Sequence, residues 1–279
     1  MVQKIKFGTD GWRAIIAQDF TVENVARVTE ATGIWLKQHV ENPSVVIGHD
    51  CRFAGELFMH TTAAVLVQQG IKVYIAQGFV STPMISLGAH KHGCEIGIIL
   101  TASHNPPSYN GFKLKAKFGG PLQPEKINEI EAIIPDVCGV EYASFSVANA
   151  LKSGLIEVLP LEKEYIDHVK ASFDLPAIQA SGLRLMYDAM YGAGQRVIPQ
   201  VLPSTTLMHC EPNPSFMGQA PEPIGKNLQE LSQYIKTHQN IDCALATDGD
   251  ADRIGLYDSH GEFIDSHHII LLLIHYLVK

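Results

Sequence analysis

The chain has 279 residues, 46% hydrophobic and 18% charged, with 21 Lys and Arg against 29 Asp and Glu, a formal net charge of −8. This composition can bury a core and argues against disorder, and the acidic balance excludes a basic nucleic-acid surface. Five widely spaced cysteines (Cys51, Cys94, Cys138, Cys210, Cys243) form no C-x-x-C pair, which speaks against a disulfide framework or a zinc site and for a reducing, cytoplasmic setting.

In chain order, the opening MVQKIKFGTDGWR lacks the apolar core of a secretion signal. Val22–Val40 carries Val22, Val25, Val28, Thr32, Trp35 and Leu36 at roughly helical spacing, with Thr21 as its expected N-cap. Ser44–Gly48 is an apolar run that ends in HDCR and is expected to be a buried strand. Helices are expected over Ala54–Gln69 and Pro83–His92, and strands over Lys72–Ala76 and Glu95–Leu100. The polar loop TASHNPPSYNGFKLK follows, in which Asn110-Gly111 reads as a turn returning into a strand at Phe112–Lys115. A helix over Pro124–Ile134 precedes a weakly patterned connection over Pro135–Ser153, where the first domain boundary is set at residue 150.

The second half repeats the alternation. A helix at Glu162–Phe173 is followed by strand Leu183–Tyr187, helix Gly194–Leu202, strand Thr206–His209, helix Leu228–Gln239 and strand Cys243–Ala246. The pattern predicts an α/β fold of two consecutive domains, 1–150 and 151–258, each a mixed, mostly parallel sheet between helices. The apolar run Ile269–Ile274 with Tyr276–Val278 falls short of the about 18 residues a membrane span needs, and reads as a buried helix.

Two segments carry chemistry. Asp248-Gly249-Asp250-Ala251-Asp252-Arg253 directly follows a strand, and its acids at i, i+2 and i+4 can project to one side. Such a cluster repels itself unless a cation sits in it, and hard oxygen donors suit Mg²⁺. An EF-hand needs Gly at position 6 and Glu at position 12, where this chain has Arg253 and Ser259. A haloacid-dehalogenase-type phosphatase has a small or hydroxyl residue where Asp252 stands. An idle acidic turn is disfavoured by the apolar strands on both sides. The second segment, Thr101-Ala102-Ser103-His104-Asn105-Pro106, offers a serine beside a histidine after a strand; alone it is equally compatible with a polar turn shaped by Asn105-Pro106. Together the two say more, because a phosphorylated serine carries roughly −1.5 to −2 charge and oxygens that can ligate Mg²⁺. Arg13, Lys113 and Arg253, expected in loops, are candidate counter-cations.

FGTDGWR, TASHNPPSYNGFK and DGDADR, in this order and spacing, resemble the α-D-phosphohexomutase superfamily, which contains phosphoglucomutases and phosphomannomutases. The resemblance runs from Phe7 to about Ser259. It implies that Ser103 is the serine that is phosphorylated and passes its phosphoryl group to a hexose phosphate. It implies Asp248, Asp250 and Asp252 as ligands of a Mg²⁺ cofactor, with phospho-Ser103 supplying a further oxygen. Arg253 matches an arginine that contacts the phosphoserine region, Lys113 a lysine acting in proton transfer, and Arg13 and His104 polar residues of the same pocket; Arg13, Lys113 and Arg253 are the implied phosphate-binding cations. The implied reaction interconverts hexose 1-phosphate and hexose 6-phosphate through a hexose 1,6-bisphosphate that turns round in the site. The implied partners are therefore hexose phosphates and the bisphosphate, with neither nucleic acid nor membrane.

Relatives of full length have four domains, and the sugar-recognition loop of the third (G-E-x-S-G-H-like) and the phosphate-binding loop of the fourth (R-x-S-G-T-E-P-like) have no counterpart here. The chain is accordingly expected to be an incomplete N-terminal portion, with residues 259–279 opening a third domain. PSYNGFK is closer to the glucose/mannose branch and FGTDGWR to the glucosamine branch. Glucose or mannose phosphate is the expected substrate, with phosphoglucosamine mutase as the enzyme alternative, a non-catalytic phosphosugar-binding scaffold as the alternative of another class, and a hydrolase using phospho-Ser103 as a third option.

Overall fold

The computed structural model describes residues 4–278. The chain forms two compact units: one holds the chain up to Ala102 together with Pro107–Lys163, the other Ser103–Pro106 together with everything from Glu164 on.

In the first unit the elements are β1 (Trp12–Ile15), α1 (Val22–His39), β2 (Ser44–His49), α2 (Gly55–Gln68), β3 (Lys72–Ala76), α3 (Thr82–Lys91), β4 (Ile96–Leu100), β5 (Tyr109–Ala116), α4 (Pro124–Ala132), α5 (Val147–Ser153) and β6 (Ile156–Leu159). The sheet runs β1-β5-β4-β2-β3-β6; β4, β2, β3 and β6 are parallel, β5 pairs antiparallel with β4, and β1 pairs antiparallel with β5. β2 and β4 are almost wholly buried, as expected for strands covered on both faces. The Thr21 hydroxyl accepts the Asn24 N–H at 3.2 Å and caps α1 as the sequence predicts. Trp12, Phe20 and Phe58 close the core beneath α1 and α2, with ring centroids 4.6 and 4.8 Å apart.

After α6 (Leu161–Ser172) and α7 (Leu175–Ala180), the second unit contains β7 (Leu185–Asp188), α8 (Ile198–Val201), β8 (Thr206–Met208), α9 (Gln229–His238), β9 (Cys243–Thr247), β10 (Ile254–Asp258), β11 (Phe263–Ile264) and α10 (Ser266–Leu277). Its sheet runs β11-β10-β9-β7-β8, with β9, β7 and β8 parallel, β10 paired antiparallel with β9, and β11 paired antiparallel with β10. Leu231 and Ile235 of α9 are buried against Met186, Ala244, Ala246 and Tyr257 of the sheet.

Several elements depart from the sequence expectation. Asn110-Gly111 is no turn but lies inside β5, where Gly111 pairs with Arg13. A Cβ on Gly111 would collide with the carbonyl oxygens of Thr101 and Trp12, so glycine is required there by close backbone approach. The first unit extends past residue 150 to Lys163, because β6 joins β3 as an edge strand. Ile269 of α10 is buried, but Ile270–Ile274, Tyr276 and Leu277 are exposed, so this helix is not the buried one expected. All five cysteines are free, and no helix among the described residues is long and apolar enough to cross a membrane.

Candidate functional site

The acidic loop joins β9 to β10 in the second unit. Asp248 and Asp250 are fully buried and Asp252 is exposed, yet one carboxylate oxygen of each lies within 4.8 Å of the others. Asp248 organises the loop: Oδ1 accepts the N–H of Asp252 at 3.0 Å and of Arg253 at 3.1 Å, and Oδ2 accepts the Ser103 hydroxyl at 2.6 Å. Gly249 makes that approach possible, since a Cβ there would stand 2.6 Å from the Ser103 carbonyl oxygen. Ser103 is 1% exposed and adopts a left-handed backbone, φ 52°, sparsely populated for a residue with a Cβ.

Burial, reinforced by the charges of Asp250 and Asp252, pushes the Asp248 carboxyl well above the usual carboxylate range. The cluster therefore costs energy as it stands, and a cation between the three acids would remove that cost. The donor set consists of hard oxygens only, and Ser103 can add one more, which fits Mg²⁺ rather than a thiolate- or imidazole-seeking metal. Asp248, Asp250 and Asp252 would hold the ion.

In the first unit Arg13 and Lys113 belong to strands, β1 and β5, rather than to the loops expected for them. Strand placement fixes their backbones in the ladder, and both side chains converge on Asp10. Lys113 Nζ is 2.8 Å from Asp10 Oδ2, Arg13 Nη2 is 3.2 Å from the same oxygen, and Lys115 Nζ is 3.9 Å from Oδ1. Lys113 is 1% exposed, and a buried ammonium requires such a partner. Partial burial acts to raise the Asp10 carboxyl, but Lys113, Lys115 and Arg13 outweigh it and hold the carboxyl below its usual range. Arg13 also donates to the Ala102 carbonyl at 3.4 Å, at the start of the serine loop. Asp10 is absent from the sequence-derived site; its signal was available in FGTDGWR, an acid between turn residues near the cations Arg13 and Lys113.

Of the other expected residues, His104 lies beside Ser103 in the segment that packs with the second unit, and Arg253 contributes its backbone N–H to Asp248 while its side chain is exposed. A buried pair missed from sequence sits at the base of the serine loop. Asp50 accepts a hydrogen bond from the Thr101 hydroxyl and lies 3.3 Å from Arg52 Nε, both side chains 0% exposed.

Two mixed α/β sheets, each followed by a polar loop where a parallel strand gives way to an antiparallel one, with a serine hydroxyl on an aspartate cluster, define the class: a two-unit α/β protein with a candidate oxygen-ligand metal site. Comparison with known proteins identifies it. The family model described as phosphoglucomutase/phosphomannomutase, alpha/beta/alpha domain I, matches residues 4–137, and that of domain II matches residues 163–261. The chain belongs to the α-D-phosphohexomutase superfamily. A phosphoglucomutase/phosphomannomutase of Thermococcus kodakarensis is 32% identical over 263 residues, 92% of this chain and 56% of that protein. A phosphoglucosamine mutase of Clostridioides difficile is 29% identical over 275 residues, 95% of this chain and 58% of that protein. A crystal structure from Thermus thermophilus, provisionally described as a phosphomannomutase, superposes with a TM-score of 0.90 at 34% identity, over 100% of this chain and 62% of that one. The chain thus spans less than two thirds of the length of each of these relatives.

Proposed function

We propose that the chain supplies the phosphoserine and metal half of a Mg²⁺-dependent phosphohexomutase, which interconverts hexose 1-phosphate and hexose 6-phosphate through phospho-Ser103 and a hexose 1,6-bisphosphate. The observation that carries this reading is the 2.6 Å hydrogen bond from the buried Ser103 hydroxyl to Asp248, itself one of three clustered carboxylates. A serine held on a metal-ligating acid is placed to exchange a phosphoryl group beside the ion. Mg²⁺, when bound, would neutralise charge on the transferring group.

The chain's own residues would do the rest. The left-handed backbone at Ser103 and the Asp248 hydrogen bond aim the Oγ, and burial excludes water from it. Asp248 accepts a hydrogen bond from that hydroxyl while Ser103 is unphosphorylated. Lys113, held on Asp10, and Arg13 are proposed to bind phosphate and to assist proton transfer at the sugar hydroxyl, with Arg253 and His104 as further polar contacts. Glucose and mannose phosphates are the proposed substrates. The phosphoglucosamine mutases among the relatives favour glucosamine phosphate as the second reading.

The test is intact mass and peptide mapping after incubation with glucose 1,6-bisphosphate, mannose 1,6-bisphosphate or glucosamine 1,6-bisphosphate with Mg²⁺. One phosphate on the peptide containing Ser103 is the expected result, and the sugar that loads it fastest marks the substrate branch. A chain that takes up no phosphate from any of the three would overturn the reading.

A further inference from the structure

Directly after β7 the chain makes a turn that none of the chemistry above uses. Met190 and Tyr191 are consecutive non-glycine residues in the left-handed region, with φ of 47° and 59°, a conformation that persists only when its surroundings hold it. Two groups do so. Asp188 Oδ1 accepts the Met190 N–H at 2.7 Å, and the His209 carbonyl accepts the Tyr191 N–H at 2.9 Å. Asp188 is 2% exposed and is oriented in turn by His209, whose Nδ1 lies 3.0 Å from the same carboxylate oxygen. The other imidazole nitrogen lies 3.4 Å from Glu230, and the Tyr191 ring packs against the imidazole with centroids 4.7 Å apart.

The far end of this turn meets the acidic loop. Ala193 donates its N–H to the Gly249 carbonyl at 2.9 Å. A Cβ on Gly192 would stand 2.6 Å from the Asp248 carbonyl oxygen and 3.0 Å from Gly249 Cα, so the two backbones lie in direct contact. The peptide that the turn grips is the one linking Asp248 to Asp250.

We infer that Asp188, oriented by His209, is a positioning residue for the metal site: it holds the strained turn, and the turn holds the Asp248–Asp250 backbone so that the carboxylates converge on a divalent cation. The inference rests on the reading of Asp248, Asp250 and Asp252 as metal ligands. A cavity of about 350 Å³ borders the pair, lined in part by Asp188, Tyr191, His209 and Glu230.

The experiment is Mn²⁺ binding to the 279-residue chain, followed by the electron paramagnetic resonance of the free ion, with thermal melting in EDTA as the check on folding. Outer partners of metal ligands typically change affinity by about 10- to 100-fold. Asp188→Ala is expected to weaken Mn²⁺ binding by about 10-fold or more, whereas Asp188→Asn, which keeps an oxygen acceptor for the Met190 N–H, is expected to bind within about threefold of the parent chain. Gly192→Ala removes no carboxylate and keeps a permitted backbone, but its Cβ pushes against the Asp248 carbonyl, so it is expected to weaken binding too, and it tests the contact between turn and loop even if Asp188→Ala fails to fold. Unchanged affinity in Gly192→Ala and Asp188→Ala, or an Asp188→Asn chain as weak as Asp188→Ala, would overturn the positioning role while leaving the metal site standing. A parent chain that binds no Mn²⁺ would instead overturn the metal reading beneath it.

Discussion

In the first unit four parallel strands give way to antiparallel pairing at β5, and in the second three parallel strands do so at β10. A polar loop sits at that reversal in both cases: the one with Ser103 between β4 and β5, the one with the three aspartates between β9 and β10. In both, the neighbouring parallel strand leads into an aspartate whose carboxylate accepts the N–H two residues on, Asp50 from Arg52 at 2.9 Å and Asp188 from Met190 at 2.7 Å. The counter-charge differs. Asp50 faces a buried guanidinium, charged at every accessible pH, whereas Asp188 faces an imidazole that borders a cavity and titrates. One topology therefore supplies two chemically distinct loops, one rigidly anchored and leading to Ser103, the other anchored through a group that responds to its surroundings.

The largest expected effect separates the loops by chemistry. Ser103→Ala should remove all phosphate loading from the bisphosphate while leaving Mn²⁺ affinity within about threefold, because Asp248, Asp250 and Asp252 keep their positions. Mass spectrometry and Mn²⁺ binding on one sample check this; loading on another residue at the parent rate would dissolve the distinction between the loops. Next is the anchoring pair. Asp50→Ala strands the Arg52 charge in a site 0% exposed and should cost about 3–5 kcal/mol in urea unfolding, a large share of a domain's stability. Asp188→Ala should cost clearly less, because solvent reaches the His209 side of the pair. Equal losses would mean that the two anchors are equivalent after all.

A smaller effect of opposite sign is expected inside the acidic loop. Asp250→Asn removes one of three repelling charges while keeping an oxygen, so in EDTA it should raise the melting temperature by a few degrees, about 1 kcal/mol. In excess Mg²⁺ the order should reverse, since the parent chain then gains the binding free energy of the ion. A variant less stable than the parent in EDTA would show that the carboxylates are not in conflict.

The distribution of what was legible in the sequence follows the range of the interactions. α1, with its Thr21 cap, and β2 and β3 were readable because periodicity and capping are local signals. The aspartate cluster was readable because its members are adjacent in sequence. Asn110-Gly111 misled because that dipeptide marks turns by local preference, while here a glycine is demanded by the backbone oxygens of Trp12 in β1 and Thr101 just past β4. Asp10, Asp50, Asp188 and His209 were missed for the same reason: each is one acid or imidazole among many, and its partner Lys113, Thr101 or Met190 becomes a partner only once the sheets exist. β6 hid behind two exposed residues, Glu157 and Val158, that give an edge strand no apolar pattern.

The smallest prediction tests the contrast of counter-charges directly. The hydrogen bond to Asp188 raises the His209 imidazole above its ordinary value of 6.5, against the lowering effect of partial burial, and Glu230 and Glu211 add to the rise. Because the folded chain favours the cation, the stabilisation is complete below that ordinary value and is lost as pH rises through the folded one. Hydrogen-exchange protection at the Met190 and Ala193 amides, corrected for intrinsic rates, should therefore decline as pH rises above the ordinary value of 6.5, while protection at the Arg52 amide stays level. The decline should correspond to no more than about 1 kcal/mol, since Glu230 is exposed and neutral His209 can still donate from Nδ1 to Asp188. A parallel decline at Arg52 would assign the effect to general loosening of the chain. A level profile at Met190 would mean that the imidazole charge plays no part in holding the turn and that its hydrogen bond alone suffices.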